Sequence, residues 1–161
     1  RVTGQMRRRE AILRLLRGEP LGVPSHAIVV HVPAALLPTG FLFELVGGLT
    51  TEAAGMRAVA PVLLGLGLVG GLAAAATGLL DWIAMIPGTA RRSRATRHLV
   101  VQSGALGLYT AGFVARLAGD PRAPSSLTLA ILALATLVLL VGNHLGGLLV
   151  YRDGMRVRTR P

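Results

Sequence analysis

Residues 59–86 read VAPVLLGLGLVGGLAAAATGLLDWIAMI and are followed at 87–97 by PGTARRSRATR. Only Asp81 is ionisable in the first stretch, and about 20 apolar residues are enough to cross the hydrocarbon core of a bilayer. A helix on the surface of a soluble protein would need a polar face, and this one has none. The arginines that follow end the run and mark the side of the membrane that retains basic loops.

Outward from this segment the same pattern recurs at 27–49, 98–115 and 127–151, giving four expected spans in a chain of 161 residues. The composition agrees: 52% of residues are hydrophobic and 15% charged, with a mean hydropathy of +0.61, beyond the apolar share of ordinary soluble domains. The expected fold is all-α, an integral membrane four-helix bundle. Residues 1–24 form a basic leader, 25–151 the four-helix domain and 152–161 a basic tail. Within the leader, Ala11, Ile12, Leu15 and Leu16 alternate with Arg7, Arg8, Arg14 and Arg17, the pattern of an amphipathic helix lying on anionic headgroups. The first apolar run is too long for a signal-peptide core and is expected to be retained.

Charge in the connections sets orientation. Arg7, Arg8, Arg9, Arg14 and Arg17 precede span one, Arg91, Arg92, Arg94 and Arg97 join spans two and three, and Arg152, Arg156, Arg158 and Arg160 follow span four. The other two connections hold only Arg57, Arg116 and Arg122, beside Glu52 and Asp120. The positive-inside rule therefore puts both termini in the cytoplasm. All 17 basic residues are arginine, a usage common in GC-rich bacterial genomes, and a multi-pass protein of the bacterial inner membrane is expected.

Several function classes are excluded. The net charge of +10 flanks apolar runs and lacks interleaved aromatics, so membrane lipid and not nucleic acid is the expected partner. The absence of cysteine removes disulfides, thiol oxidase chemistry and thiolate-held iron–sulfur clusters. No phosphate-binding loop, dinucleotide fingerprint or nucleophile elbow occurs. Four helices give little wall for a transport pathway, and no repeat between the two halves stands out.

The remaining chemistry lies in polar residues at membrane depth. With about 1.5 Å of rise per residue, His26 and His98 sit at the cytoplasmic headgroup boundary, while His31 and His144 share a deeper level. Asp81 reaches that level from span two, and Gln102 and Asn143 are candidates for the same layer. Facing imidazoles on separate helices are what a b-type haem requires. His31 with His144 is the preferred pair, His26 with His98 a shallower one, and a non-haem metal held with Asp81 the alternative. Without a cofactor, Asp81, His31 and His144 would form a hydrogen-bonded knot that fixes helix register. Glu44, near the outer end of span one, is expected to snorkel to water, with a proton or quinone contact as the other reading. Pro33 and Pro38 each remove a backbone donor, so a kink is expected near His31.

The string Gly22-Val23-Pro24-Ser25-His26-Ala27-Ile28-Val29-Val30-His31-Val32-Pro33, together with Gly78-Leu79-Leu80-Asp81-Trp82, Ile86-Pro87-Gly88-Thr89 and Leu145-Gly146-Gly147-Leu148-Leu149-Val150-Tyr151-Arg152-Asp153-Gly154, resembles the bacterial membrane proteins grouped as domain of unknown function 2231. That family opens with Gly-His-Pro-Leu-His-Pro and then His-Phe-Pro-Ile, and this chain departs from its pattern at Val23 and Asp153, where histidine is usual. The resemblance implies a four-helix inner-membrane protein associated with Rieske iron–sulfur proteins. The reading is a membrane subunit of an electron-transfer complex, binding haem or metal, with other membrane subunits, a Rieske or cytochrome protein and quinone as expected partners. It would not be an enzyme by itself. The alternative is a cofactor-free structural, anchor or assembly subunit.

Overall fold

The computed structural model describes residues 2–49 and 53–155, all helices and turns with no strand among them. Helix α1 spans Val2–Leu16 and is followed by a 3-10 turn at Glu19–Leu21, then α2 (Ser25–Val29), α3 (His31–Leu49), α4 (Ala54–Ile83), α5 (Ala90–Ala118) and α6 (Ser126–Tyr151). Glu52 and the tail arginines Arg156, Arg158 and Arg160 lie outside the described residues.

Local chemistry accounts for the boundaries. Helix α1 stops at Gly18, whose φ of 72° is readily adopted only by glycine; a Cβ there would also collide with the Val23 carbonyl. The expected kink falls at Val30, between α2 and α3, because Pro33 has no N–H to give the Val29 carbonyl one turn back. Thr89 and Ser125 cap α5 and α6 by accepting hydrogen bonds from the backbone N–H of Arg92 at 3.3 Å and of Thr128 at 3.1 Å. Such caps satisfy donors that a helix start leaves open.

The four long helices pack in a ring: α3 against α4, α4 against α5, α5 against α6, and α6 back against α3. Leu37, Leu64, Ala105, Tyr109, Leu132, Ala135 and Leu139 form the core. Glycine sets the close approaches. A Cβ on Gly67 would lie 2.7 Å from a Leu37 methyl, and one on Gly71 2.6 Å from Leu106. Small residues inward with Val62, Leu66, Val69, Leu72, Leu134, Leu137 and Leu140 outward is the arrangement expected where lipid is the solvent.

Among the described residues, three helical stretches are long and apolar enough to cross a membrane: Ser25–Leu49, Ala54–Ile83 and Ser126–Tyr151. The expected spans 27–49, 59–86 and 127–151 fall on these stretches, the second starting earlier and ending sooner than expected. The remaining expected span, 98–115, lies inside α5 and is not among these stretches, because His98, Gln102, Ser103, Tyr109 and Thr110 lower the hydropathy of an otherwise apolar run. Helix α1 exists, with Ile12, Leu13, Leu15 and Leu16 exposed. It is tied down through its C-terminal end, where Ser25 Oγ donates to the Leu16 carbonyl at 2.5 Å.

Candidate functional site

Helices α3 and α5 start, and α4 and α6 finish, at the end of the ring that also carries α1 and the Arg91–Arg97 segment. At this basic end, α2 directs His26 onto α4 and α5 directs His98 onto α6. His26 Nδ1 lies 2.9 Å from the Ala74 carbonyl and 3.4 Å from Thr77 Oγ1. His98 Nδ1 lies 2.8 Å from the Gly142 carbonyl. A carbonyl only accepts, so Nδ1 carries the proton in both rings and Nε2 presents its lone pair.

Glycine makes room for each ring one turn further along the facing helix. A Cβ on Gly78 would lie 2.9 Å from His26 Cε1, and one on Gly146 would lie 3.0 Å from His98 Cε1. Both imidazoles are half-buried. The two rings lie at the same end of the ring of helices, each against its facing helix.

The deeper pair takes a different position from the one expected. His31 and His144 are both exposed, and His31 Nδ1 bonds the Ile28 carbonyl of its own chain segment at 3.2 Å. Helical phase is the reason. His31 stands roughly 140° around the axis from inward-facing His26, and His144 roughly 200° from Gly142, which faces α5. No interior site forms from these two residues, and the expected knot of Asp81 with His31 and His144 is not assembled.

Asp81 is buried, at 5% exposure, and receives Arg17 Nε at 3.2 Å. Arg17 also meets Glu19 at 3.1 Å, so the segment after α1 closes over the end of α4. Gln102, one turn beyond His98, donates from Nε2 to Asn143 Oδ1 at 2.8 Å. Gln102 Oε1 is the one buried side-chain polar atom among the described residues with no hydrogen-bond partner.

Glu44 corrects the expectation of snorkelling. It is fully buried, and Arg116 Nε donates to its Oε1 at 2.7 Å and to its Oε2 at 2.8 Å. The Arg116 terminal nitrogens donate to the carbonyls of Asp120 and Pro121 at 3.2 Å each. A carboxylate can stay in the interior because a guanidinium replaces the water it gives up. Sequence reasoning assigned Arg116 to an outer connection and so missed its pairing. Tyr109 is likewise interior, its hydroxyl 2.8 Å from Thr136 Oγ1.

Asp153 is gripped by Arg94, with Nε to Oδ2 at 2.7 Å and Nη2 to Oδ1 at 2.5 Å. Arg91 donates to the Asp153 carbonyl at 2.8 Å. The Arg94 hydrogen bonds hold the Asp153 carboxyl below its usual range. Trp82 Nε1 donates to Thr96 at 2.9 Å, and Arg92 stacks 4.0 Å above the indole. The connection between α4 and α5 is thus fastened to both of its helices and to the end of α6.

Two histidines with free Nε2 atoms can supply two ligands to an iron. Among the described residues no group of three His, Asp or Glu is placed to hold a metal ion, so Asp81 does not complete a three-ligand site with them.

An all-helical chain with three helices able to span a bilayer, apolar residues outward and ion pairs inward, is a multi-pass membrane protein. Its sequence matches, over residues 22–159, the family described as predicted membrane proteins, DUF2231. The chain belongs to that family. No curated protein and no solved structure matches it.

Proposed function

We propose that this protein is a four-span subunit of an electron-transfer complex in a bacterial inner membrane, with both termini cytoplasmic, and that it binds iron through His26 and His98. One observation carries the reading. Both imidazoles commit Nδ1–H to a helix carbonyl on the neighbouring helix, which fixes ring orientation and leaves Nε2 as the ligand atom, the arrangement typical of histidines that ligate metal. A b-type haem fits this donor set. When bound it supplies one-electron redox chemistry. The chain supplies two oriented neutral imidazoles and, in exposed Arg97 beside His98, a charge opposite to that of haem propionates. Electrons would pass between quinone and a separate redox protein, and a Rieske protein is the first partner to try.

All four long helices are taken as spans in this reading. The arginines of α5 lie at its ends, and Arg116 is neutralised by Glu44, so its middle is fit for lipid despite its average composition.

The test is a reduced-minus-oxidised visible spectrum, with iron analysis, of protein purified gently from its native membrane. An α-band and stoichiometric iron support the proposal. A second reading, a cofactor-free anchor or assembly subunit, is favoured by the internal pairing of Glu44, Asp81, Asn143 and Asp153. It predicts a colourless, iron-free protein.

A further inference from the structure

We infer that the chain is a duplicated helical hairpin, and that His26 and His98, the same residue of its two copies, form one site on the twofold axis between them for a planar tetrapyrrole iron held by two equivalent axial bonds. The inference rests on the proposed iron-binding function and specifies its ligand.

The duplication shows in residues and in contacts. Glu44 and Arg116 are separated by 72 residues, and the same shift carries Gly40-Phe41-Leu42-Phe43-Glu44-Leu45-Val46-Gly47 onto Gly112-Phe113-Val114-Ala115-Arg116-Leu117-Ala118-Gly119. It also carries His26 onto His98. The returning helices follow with their own constant shift. A Cβ on Gly40 would meet Leu64 Cδ2 at 2.9 Å, and one on Gly112 would meet Leu132 Cδ2 at 2.5 Å. The two histidines repeat the relation: Nδ1 on a carbonyl, ring on the glycine one turn later, at 2.9 Å and 2.8 Å to Ala74 and Gly142. Side chains diverged between the copies while the packing positions did not.

The axis is located by Glu44 and Arg116. In a twofold arrangement equivalent residues touch only where they straddle the axis, and these two equivalent residues are bonded at 2.7 Å. His98 precedes Arg116 on the one helix α5 by about five full turns, which returns it to the face that carries Arg116, and the 72-residue shift gives His26, on α2, the equivalent place relative to Glu44. The faces between are the buried ones: Leu37 and Gly40 on α3, Tyr109 and Gly112 on α5. The histidines thus take equivalent places about the axis at the basic end.

Two equivalent imidazoles, with no third carboxylate or histidine grouped with them among the described residues, leave a bare metal ion under-coordinated. A tetrapyrrole brings its own four equatorial nitrogens and asks the protein for the two axial positions only.

The experiment titrates haemin into the purified full chain in detergent and follows the Soret and α-bands. The expected result is one haem per chain, six-coordinate and low-spin. His26→Ala and His98→Ala each convert it to the same high-spin form with at least tenfold weaker binding, and free imidazole restores the low-spin bands in both. His31→Ala and His144→Ala leave the spectrum unchanged. Haem that binds but is untouched by one of the first two variants overturns the symmetric site while leaving iron binding in place. Ferrous iron or zinc bound through His26 with no haem uptake overturns the tetrapyrrole alone. Uptake of neither overturns the functional proposal as well. The axis has its own test: exchanging the charges in Glu44→Arg with Arg116→Glu restores the folded protein that either single change destabilises. A double variant no better than the worse single one contradicts the axis.

Discussion

Arg116 on α5 places Nε between both carboxylate oxygens of Glu44 on α3, at 2.7 and 2.8 Å, in a site where Glu44 has no exposure at all. The two helices are not ring neighbours, so the pair bridges the middle of the assembly and fixes how the two hairpins meet. Desolvating both charges costs several kcal/mol, and the pair offsets this only while both members remain.

Arg116→Met should therefore destabilise the protein by about 3–5 kcal/mol, because it leaves a buried carboxylate uncompensated. Adding Glu44→Gln should recover most of the loss. Thermal unfolding in detergent, followed by circular dichroism, measures both, and a double variant as unstable as Arg116→Met would contradict the assignment.

The Arg94–Asp153 pair gives a pH signature. The carboxyl's folded value is depressed below its ordinary 3.8, so its contribution is complete above that value and is lost as pH falls through the lower, folded one. The difference in melting temperature between wild type and Asp153→Asn should stay constant from neutral pH down to about 4 and disappear below it. A difference that fades between pH 7 and 5 would show that the pair is not what holds this connection.

Glycine replacements should divide by place. Gly78→Ala and Gly146→Ala put a methyl 2.9 and 3.0 Å from the His26 and His98 rings, and should displace the imidazole and abolish the low-spin haem spectrum. Gly107→Ala, with nothing within 4 Å of its new carbon, should stabilise α5 by about 0.5–1 kcal/mol. Equal effects at Gly78 and Gly107 on haem uptake would remove the histidines from the account.

Three of the expected spans were legible because lipid demands long uninterrupted apolar runs, and the Val30 break because a proline has no N–H. That His26 and His98, and not His31 and His144, rest against a facing helix was not legible, because depth follows from residue counting whereas the inward face depends on which helix lies alongside. Arg116 looked like a loop residue until α5 was seen to run to Ala118. The duplication was hidden by replacement: Glu44 became Arg116 and Leu37 became Tyr109, and the returning helices are shifted by a different interval from the outgoing ones. Only packing against Leu64 and Leu132 restores the register.

The most direct test is the visible difference spectrum of the native-membrane protein, wild type against His26→Ala. The account predicts a reduced α-band in the wild type that is lost in the variant while the helical content is unchanged. A wild type without iron or chromophore, or a band that survives His26→Ala intact, would contradict it.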